Sequence, residues 1–320
     1  MTPHEHADLW CRDPRATPFQ SPAWLDAWWT HLGGGERIDL EARDGEGRLI
    51  GALPAFIWAD GGTRKLVPVG AGHSDYLDAL IDPDQRPAAV AGLWRAAEAE
   101  TDRWDEIFLP DLRADSSLLG ALPSGWMALD EASDICPVLA LPDDGDLMRA
   151  LSKSHRRKVV HDRHRADRLG GVTVAFARPD ELDEALDALF ALHGSRWQAA
   201  GEPGVLADSR VQAFHRAAAP ALAQAGLLRT ILVRLAGRIV AVLHGFADRS
   251  RGFSYIIGID HAVPGQSFGT LAFAALIDGA VADGAREFHF LRGEEVYKYR
   301  WGAVATTTVR RVIRRPTPHP

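Results

Sequence analysis

At 320 residues, 46% apolar and 25% charged, the chain has the composition of a soluble globular protein and the length for two domains, since one core rarely grows beyond roughly 250 to 300 residues. A formal net charge of −7 argues against a protein that depends mainly on duplex nucleic acid. Two cysteines, Cys11 and Cys136, are too few for a disulfide framework and fit a reducing cytoplasm. No apolar run reaches the ~18 residues of a membrane span, and the N-terminus lacks the basic start and apolar run of a signal peptide, so a cytoplasmic location is expected.

In chain order, residues 18–32 predict a helix, with Ser21 as N-cap, Pro22 at the first helical position, and Leu25, Trp28, Trp29 and Leu32 at three- and four-residue spacing. Segments 37–43 and 48–58 form a hairpin around Gly45-Glu46-Gly47, and 65–69 is a third strand. A helix opens at Pro83 with Val90, Leu93, Trp94 and Ala97 on its apolar face, and 105–109 is a strand. Residues 134–141 read as a strand linking two halves, and Pro142-Asp143-Asp144-Gly145-Asp146 marks the boundary. This divides the chain into domains 1–143 and 144–320.

The second half repeats the order. Helix-rich sequence from 146 to 225 is broken by Gly170-Gly171 and by the loop 200–204. Strands follow at 228–235 and 238–247 around Ala236-Gly237, then a third at 252–259, a helix at 266–283 and a strand at 286–291. Each half is therefore an α/β unit of three antiparallel strands plus a crossover to a parallel one, a mixed, mostly antiparallel sheet flanked by helices. In the second half alone the helix is entered through glycines and hydroxyls: Pro264, Gly265, Gln266, Ser267, Phe268, Gly269 and Thr270. Unpaired N–H groups at such an entry are suited to a phosphate or another anion. The first half enters its helix through acidic Asp82 and Asp84, so the second half is expected to bind an anionic cofactor and the first to hold the acceptor.

The strand order and this turn resemble the GNAT superfamily of acyl-CoA-dependent N-acyltransferases, whose phosphate loop reads Gln/Arg-x-x-Gly-x-Gly/Ala. Gln266 and Gly269 match, and Leu271 stands at the last position. Across nearly the whole chain, Phe19-Gln20-Ser21-Pro22-Ala23-Trp24, Leu192-His193 with Arg196-Trp197, Val263-Pro264-Gly265, and Phe290-Leu291-Arg292-Gly293-Glu294-Glu295 with Tyr297, Lys298 and Trp301 look like CelD/BcsL-type acetyltransferases. These are tandem-GNAT proteins similar in architecture to Fem-type ligases, which take an aminoacyl group from tRNA. The resemblance implies acetyl-CoA or another acyl-CoA as co-substrate, no metal, and a small-molecule amine, amino sugar or amino acid as acceptor. Its cofactor set would be Ile257, Gly258 and the turn from Gly265 to Thr270.

Direct attack of an amine on a thioester needs a base, an oxyanion donor and an acid for the departing thiolate. Tyr297 is the candidate acid, Glu294 or Glu295 the base through water, and Lys298 the group that neutralises the oxyanion or holds an anionic acceptor. Lys298→Ala is then expected to cut turnover far more than stability. Asp75, Tyr76, Arg196, Trp197 and Arg292 are candidate acceptor contacts. Residues 153–168 carry seven Lys/Arg, three His and two Asp, a basic helix that would attract a CoA phosphate or, in the Fem-like alternative, tRNA. A non-catalytic binding module on the same fold is the other alternative. No carboxylate–histidine spacing resembles a metal site.

Overall fold

A computed structural model describes residues 1–142, 145–199, 201–263 and 267–315. The elements in chain order are α1 (Pro3–Arg12), α2 (Pro22–Leu32), β1 (Glu36–Arg43), β2 (Leu49–Asp60), β3 (Thr63–Pro68), β4 (Leu80–Ile81), α3 (Arg86–Ala99), β5 (Glu106–Arg113), β6 (Met127–Ile135), β7 (Val138–Ala140), α4 (Leu147–Ala150), α5 (Lys153–Leu169), β8 (Val172–Phe176), α6 (Leu182–Ala199), α7 (Ser209–Gln224), β9 (Leu228–Leu235), β10 (Arg238–Ala247), β11 (Arg251–Ile259), α8 (Phe268–Ala282), β12 (Glu287–His289), α9 (Val296–Arg300) and β13 (Thr307–Arg314). They form two mixed sheets flanked by helices, in two compact units: Met1–Asp134 with Thr307–Pro320, and Ile135–Thr306. The sequence reading drew one cut between 143 and 144. The structure instead assigns the last strand to the first unit, and gives the linking stretch to both, as β6 in the first and β7 in the second.

In the first unit the sheet runs β1-β2-β3-β5-β13-β6, with β4 beside β2. The pairs β1–β2, β2–β3, β2–β4 and β5–β13 are antiparallel, and β3 and β5 pair in parallel at Lys65↔Glu106 and Leu66↔Ile107. Helix α2 starts as its sequence dictates, with Ser21 accepting from the Trp24 amide at 3.3 Å and Pro22 in the first turn. Leu93, Trp104, Ile107, Leu112 and Ile313 are fully buried at its centre. β13 hid its strand character behind arginines. Arg311 is buried because Asp130 on β6 takes its guanidinium through two bonds of 2.7 and 2.8 Å.

The second unit's sheet runs β7-β12-β11-β10-β9-β8. The β9–β10 turn is tight because Ala236 (φ 49°) and Gly237 (φ 83°) are both left-handed, the conformation that matches the twist of a hairpin. β10 is buried at every residue after Arg238, as expected of a strand covered on both faces. Helix α6 covers one face and α8 the other, with α5 packed on α8. α8 is apolar nearly all round, and Phe268, Leu271, Phe273, Leu276 and Ile277 are buried. Burial of a large apolar side chain contributes about 1.5–3 kcal/mol, so α8 is a principal anchor of this core. Among the described residues no helix is long and apolar enough to cross a membrane. Cys11 is exposed and Cys136 is buried.

Candidate functional site

β11 and β12 pair in parallel over only three positions, Arg251↔Glu287, Gly252↔Phe288 and Phe253↔His289. β11 continues to Ile259 on β10 alone, so the sheet opens on its β12 side. A cavity of about 580 Å³ lies there within the second unit. Its wall takes Ile257 and Ile259 from β11, Asp260, His261 and Val263 beyond it, Ser267, Gly269, Thr270 and Phe273 from the start of α8, His155 and Lys158 from α5, Arg196 from α6, and Glu295, Tyr297, Arg300 and Trp301 around α9.

Strand alternation sorts the residues of β11. Ile257 and Ile259 face α8. A Cβ built on Gly269 would sit 2.8 Å from Ile259 Cδ1, so this glycine lets the helix start close to the strand. Gly258 faces the other way. A Cβ there would meet Leu192 Cβ at 2.9 Å and the Leu189 carbonyl oxygen at 3.1 Å, so this glycine lets α6 pack close to the strand. It does not line the cavity, and Phe268 is core. Ser267 stands at the N-cap of α8 without capping it. Its Oγ accepts from Lys158 Nζ at 3.3 Å instead, and Lys158 is also paired with Asp162. Among the described residues no side-chain cap bond reaches the first turn of α8, whose amides have no intrahelical acceptor. Pro264, Gly265 and Gln266 lie outside the described residues.

Tyr297 is half-buried against Phe273, with ring centroids 5.1 Å apart. Burial raises its phenol well above the usual range, the Glu295 charge adds to this, and Arg196 opposes it. Glu295 lies in the wall, whereas Glu294 is exposed and outside it. Lys298 is 2% exposed and not in the wall. Its ammonium donates to the carbonyls of Leu291 (3.1 Å), Arg292 (2.6 Å) and Gly293 (3.1 Å) and pairs with Glu295 at 2.9 Å. Those carbonyls belong to a turn in which Leu291 is left-handed (φ 58°), a conformation that strains a branched residue. Lys298 therefore ties down a strained turn. This placement reverses the expectation that its loss would spare stability. Arg292 is half-buried and also outside the wall.

Arg196 reaches the cavity. Trp197 does not line it, and its indole donates to His193 Nε2 at 2.9 Å. Asp75 and Tyr76 belong to the first unit, where both are buried. The Tyr76 ring packs edge-on to Phe19 at 6.4 Å and beneath the Arg113 guanidinium at 5.7 Å.

Sequence reasoning did not single out His155, Asp260, His261, Phe273 or Arg300. His155 is 7% exposed, its ring stands edge-on to Trp301 at 4.5 Å, and among the described residues its Nε2 has no hydrogen-bond partner. Burial lowers its pKa, Lys158 and Arg300 lower it further, and Asp162 opposes them. The available signal was spacing: His155, Lys158 and Asp162 recur at three- and four-residue steps, the side of α5 turned to the cavity and α8. Asp260 is held ionised below the usual carboxylate range by the Ala262 amide and by Arg238 at 2.7 Å. Among the described residues no group of three or more His, Cys, Asp or Glu is placed to hold a metal.

Solved structures share this fold across almost the whole chain. FemX superposes with a TM-score of 0.68 at 13% identity, over 97% of this chain and 96% of that one. A conserved protein of unknown function from Bacteroides thetaiotaomicron gives 0.64 at 15% identity, over 98% of each. The C-terminal domain of a putative lysylphosphatidylglycerol synthetase from Agrobacterium fabrum gives 0.61 at 10% identity, over 97% and 91%. A sequence search of curated proteins found no match. Residues 153–299, from the first turn of α5 to Tyr299 of α9, match the family model described as Acetyltransferase (GNAT) domain.

Proposed function

We propose that this protein transfers an acyl group from acyl-CoA to an amine, by direct attack within the cavity of the second unit, as a tandem-GNAT enzyme of the CelD/BcsL type. The observation that carries the reading is the opening between β11 and β12, with the uncapped start of α8 and Lys158 at one side and Tyr297 in the wall. The α8 amides and Lys158 suit a diphosphate, and Ile257, Ile259 and Phe273 give an apolar path for the thioester arm. The amine nitrogen bonds to the thioester carbon as the carbon–sulfur bond breaks. Tyr297 carries a proton it can pass to the departing sulfur as that bond breaks, at a cost that its burial raises. Glu295, through water, takes a proton from the incoming ammonium, and the proton the nitrogen sheds on amide formation restores Tyr297. One proton is released per turnover.

The test is thermal shift with acetyl-CoA, since a ligand that selects the folded state must stabilise it, followed by thiol release across an amine panel. Tyr297→Phe should keep the shift and lose on the order of 10²–10⁴ in kcat. Absence of any shift or release would remove the reading. The whole-chain likeness to FemX and the exposed Lys153, Arg157 and Arg168 on α5 favour a second reading, in which the donor is aminoacyl-tRNA. Transfer from charged tRNA with no response to acetyl-CoA would select it.

A further inference from the structure

The charges around the cavity do not cancel, and their imbalance bears on the acceptor. Both acids of the wall are already engaged, Asp260 with Arg238 at 2.7 Å and Glu295 with Lys298 at 2.9 Å. Lys158 is engaged too, by Asp162 and Ser267. Arg196 and Arg300 are exposed in the wall, and neither forms an ion pair with an acid among the described residues. A bare ammonium entering here would meet two guanidiniums and, of the acids, only Glu295 and Asp260, each already paired with a cation. An amine that brings its own anion would not be repelled, because a guanidinium offers paired donors matched to a carboxylate. The wall also offers what the amine end needs. Among the described residues His155 has a ring nitrogen without a partner, and the half-buried Tyr297 ring of the wall can receive an ammonium by cation–π contact.

Building on the acyl-CoA reading, we infer that the acceptor is an amine carrying a carboxylate, of the amino-acid class, held by Arg196 and Arg300 with its amine toward His155 and the aromatic wall. An amino sugar or a simple amine lacks the group those arginines are placed to bind. The donor's diphosphate has its own partners, the α8 amides and Lys158, so the two anions are bound by separate sets of residues.

The experiment compares thiol release from acetyl-CoA with a panel of amino acids, their carboxamides, and glucosamine. Arg196→Gln, Arg300→Gln and the double variant are run beside the parent protein. The inference expects kcat/KM for the acids to exceed that for the amides by roughly 10- to 100-fold. It expects each single variant to raise KM for the acids by about 10-fold and the double variant to abolish the preference, with the acetyl-CoA thermal shift retained. A panel in which acids never outperform amides or glucosamine overturns it. So does a pair of variants that lose the acetyl-CoA shift, since the arginines would then serve the donor. If the parent shows neither shift nor thiol release, the transferase reading itself fails, and this inference with it.

Discussion

Lys298→Met tests the account of the strained turn after β12. Methionine keeps most of the buried stem and removes the ammonium, which leaves the carbonyls of Leu291, Arg292 and Gly293 without their common donor. The Leu291 carbonyl belongs to a residue 1% exposed, and an unsatisfied buried acceptor costs about 1–3 kcal/mol. Arg292 and Gly293 are half-buried, so water can take over there and about 1 kcal/mol covers both. Leu291 then keeps its left-handed strain without its tether. The sum is a loss of about 3 kcal/mol in the second unit's stability. Glu295→Gln is the contrast. That carboxylate is 51% exposed, and pairs with one exposed partner contribute less than about 1 kcal/mol. Urea unfolding followed by circular dichroism reads both as shifts in midpoint at constant slope. A Lys298→Met midpoint within about 0.5 kcal/mol of the parent, with thiol release lost, would refute the tether and return Lys298 to the chemistry.

Gly258→Ala should destabilise by about 1–3 kcal/mol, because its Cβ meets helix backbone that cannot give; unchanged urea midpoints would show that α6 is free to move. At Gly269 the clash is with the tip of Ile259, so Gly269→Ala should cost under about 1 kcal/mol while weakening the acetyl-CoA shift, and an unaltered shift would place the diphosphate elsewhere. His244 is buried neutral with its pKa lowered to about 4 by burial, and Thr230 Oγ1 lies 3.0 Å from its Nδ1. The unfolded chain binds this proton near pH 6.5 and the folded chain only near 4, so stability falls as pH drops through that window, by about 3 kcal/mol for this group. His244→Gln should flatten that slope in urea titrations from pH 7 to 4, and an unchanged slope would assign it to other groups.

Local pattern was enough to read each half of the chain as three antiparallel strands, a helix and a parallel strand. The continuous apolar runs of β2 and β10, the Ala236-Gly237 turn and the apolar girth of α8 are all short-range properties. Helix α8 itself was legible for the same reason, whereas Pro264, Gly265 and Gln266 of its entry lie outside the described residues. β13 was not legible, because its arginines look solvated until Asp130, more than 180 positions earlier, is seen to pair with Arg311. The same limit applies in the site. Sequence put Lys298 beside Tyr297 and suggested shared chemistry, but only the path of the chain after β12 decides that the ammonium meets three backbone carbonyls. Likewise His155 looked like one histidine among several on a basic helix. Its burial beside Trp301 follows from where α5 crosses α8, and packing between distant segments is a property no local pattern encodes.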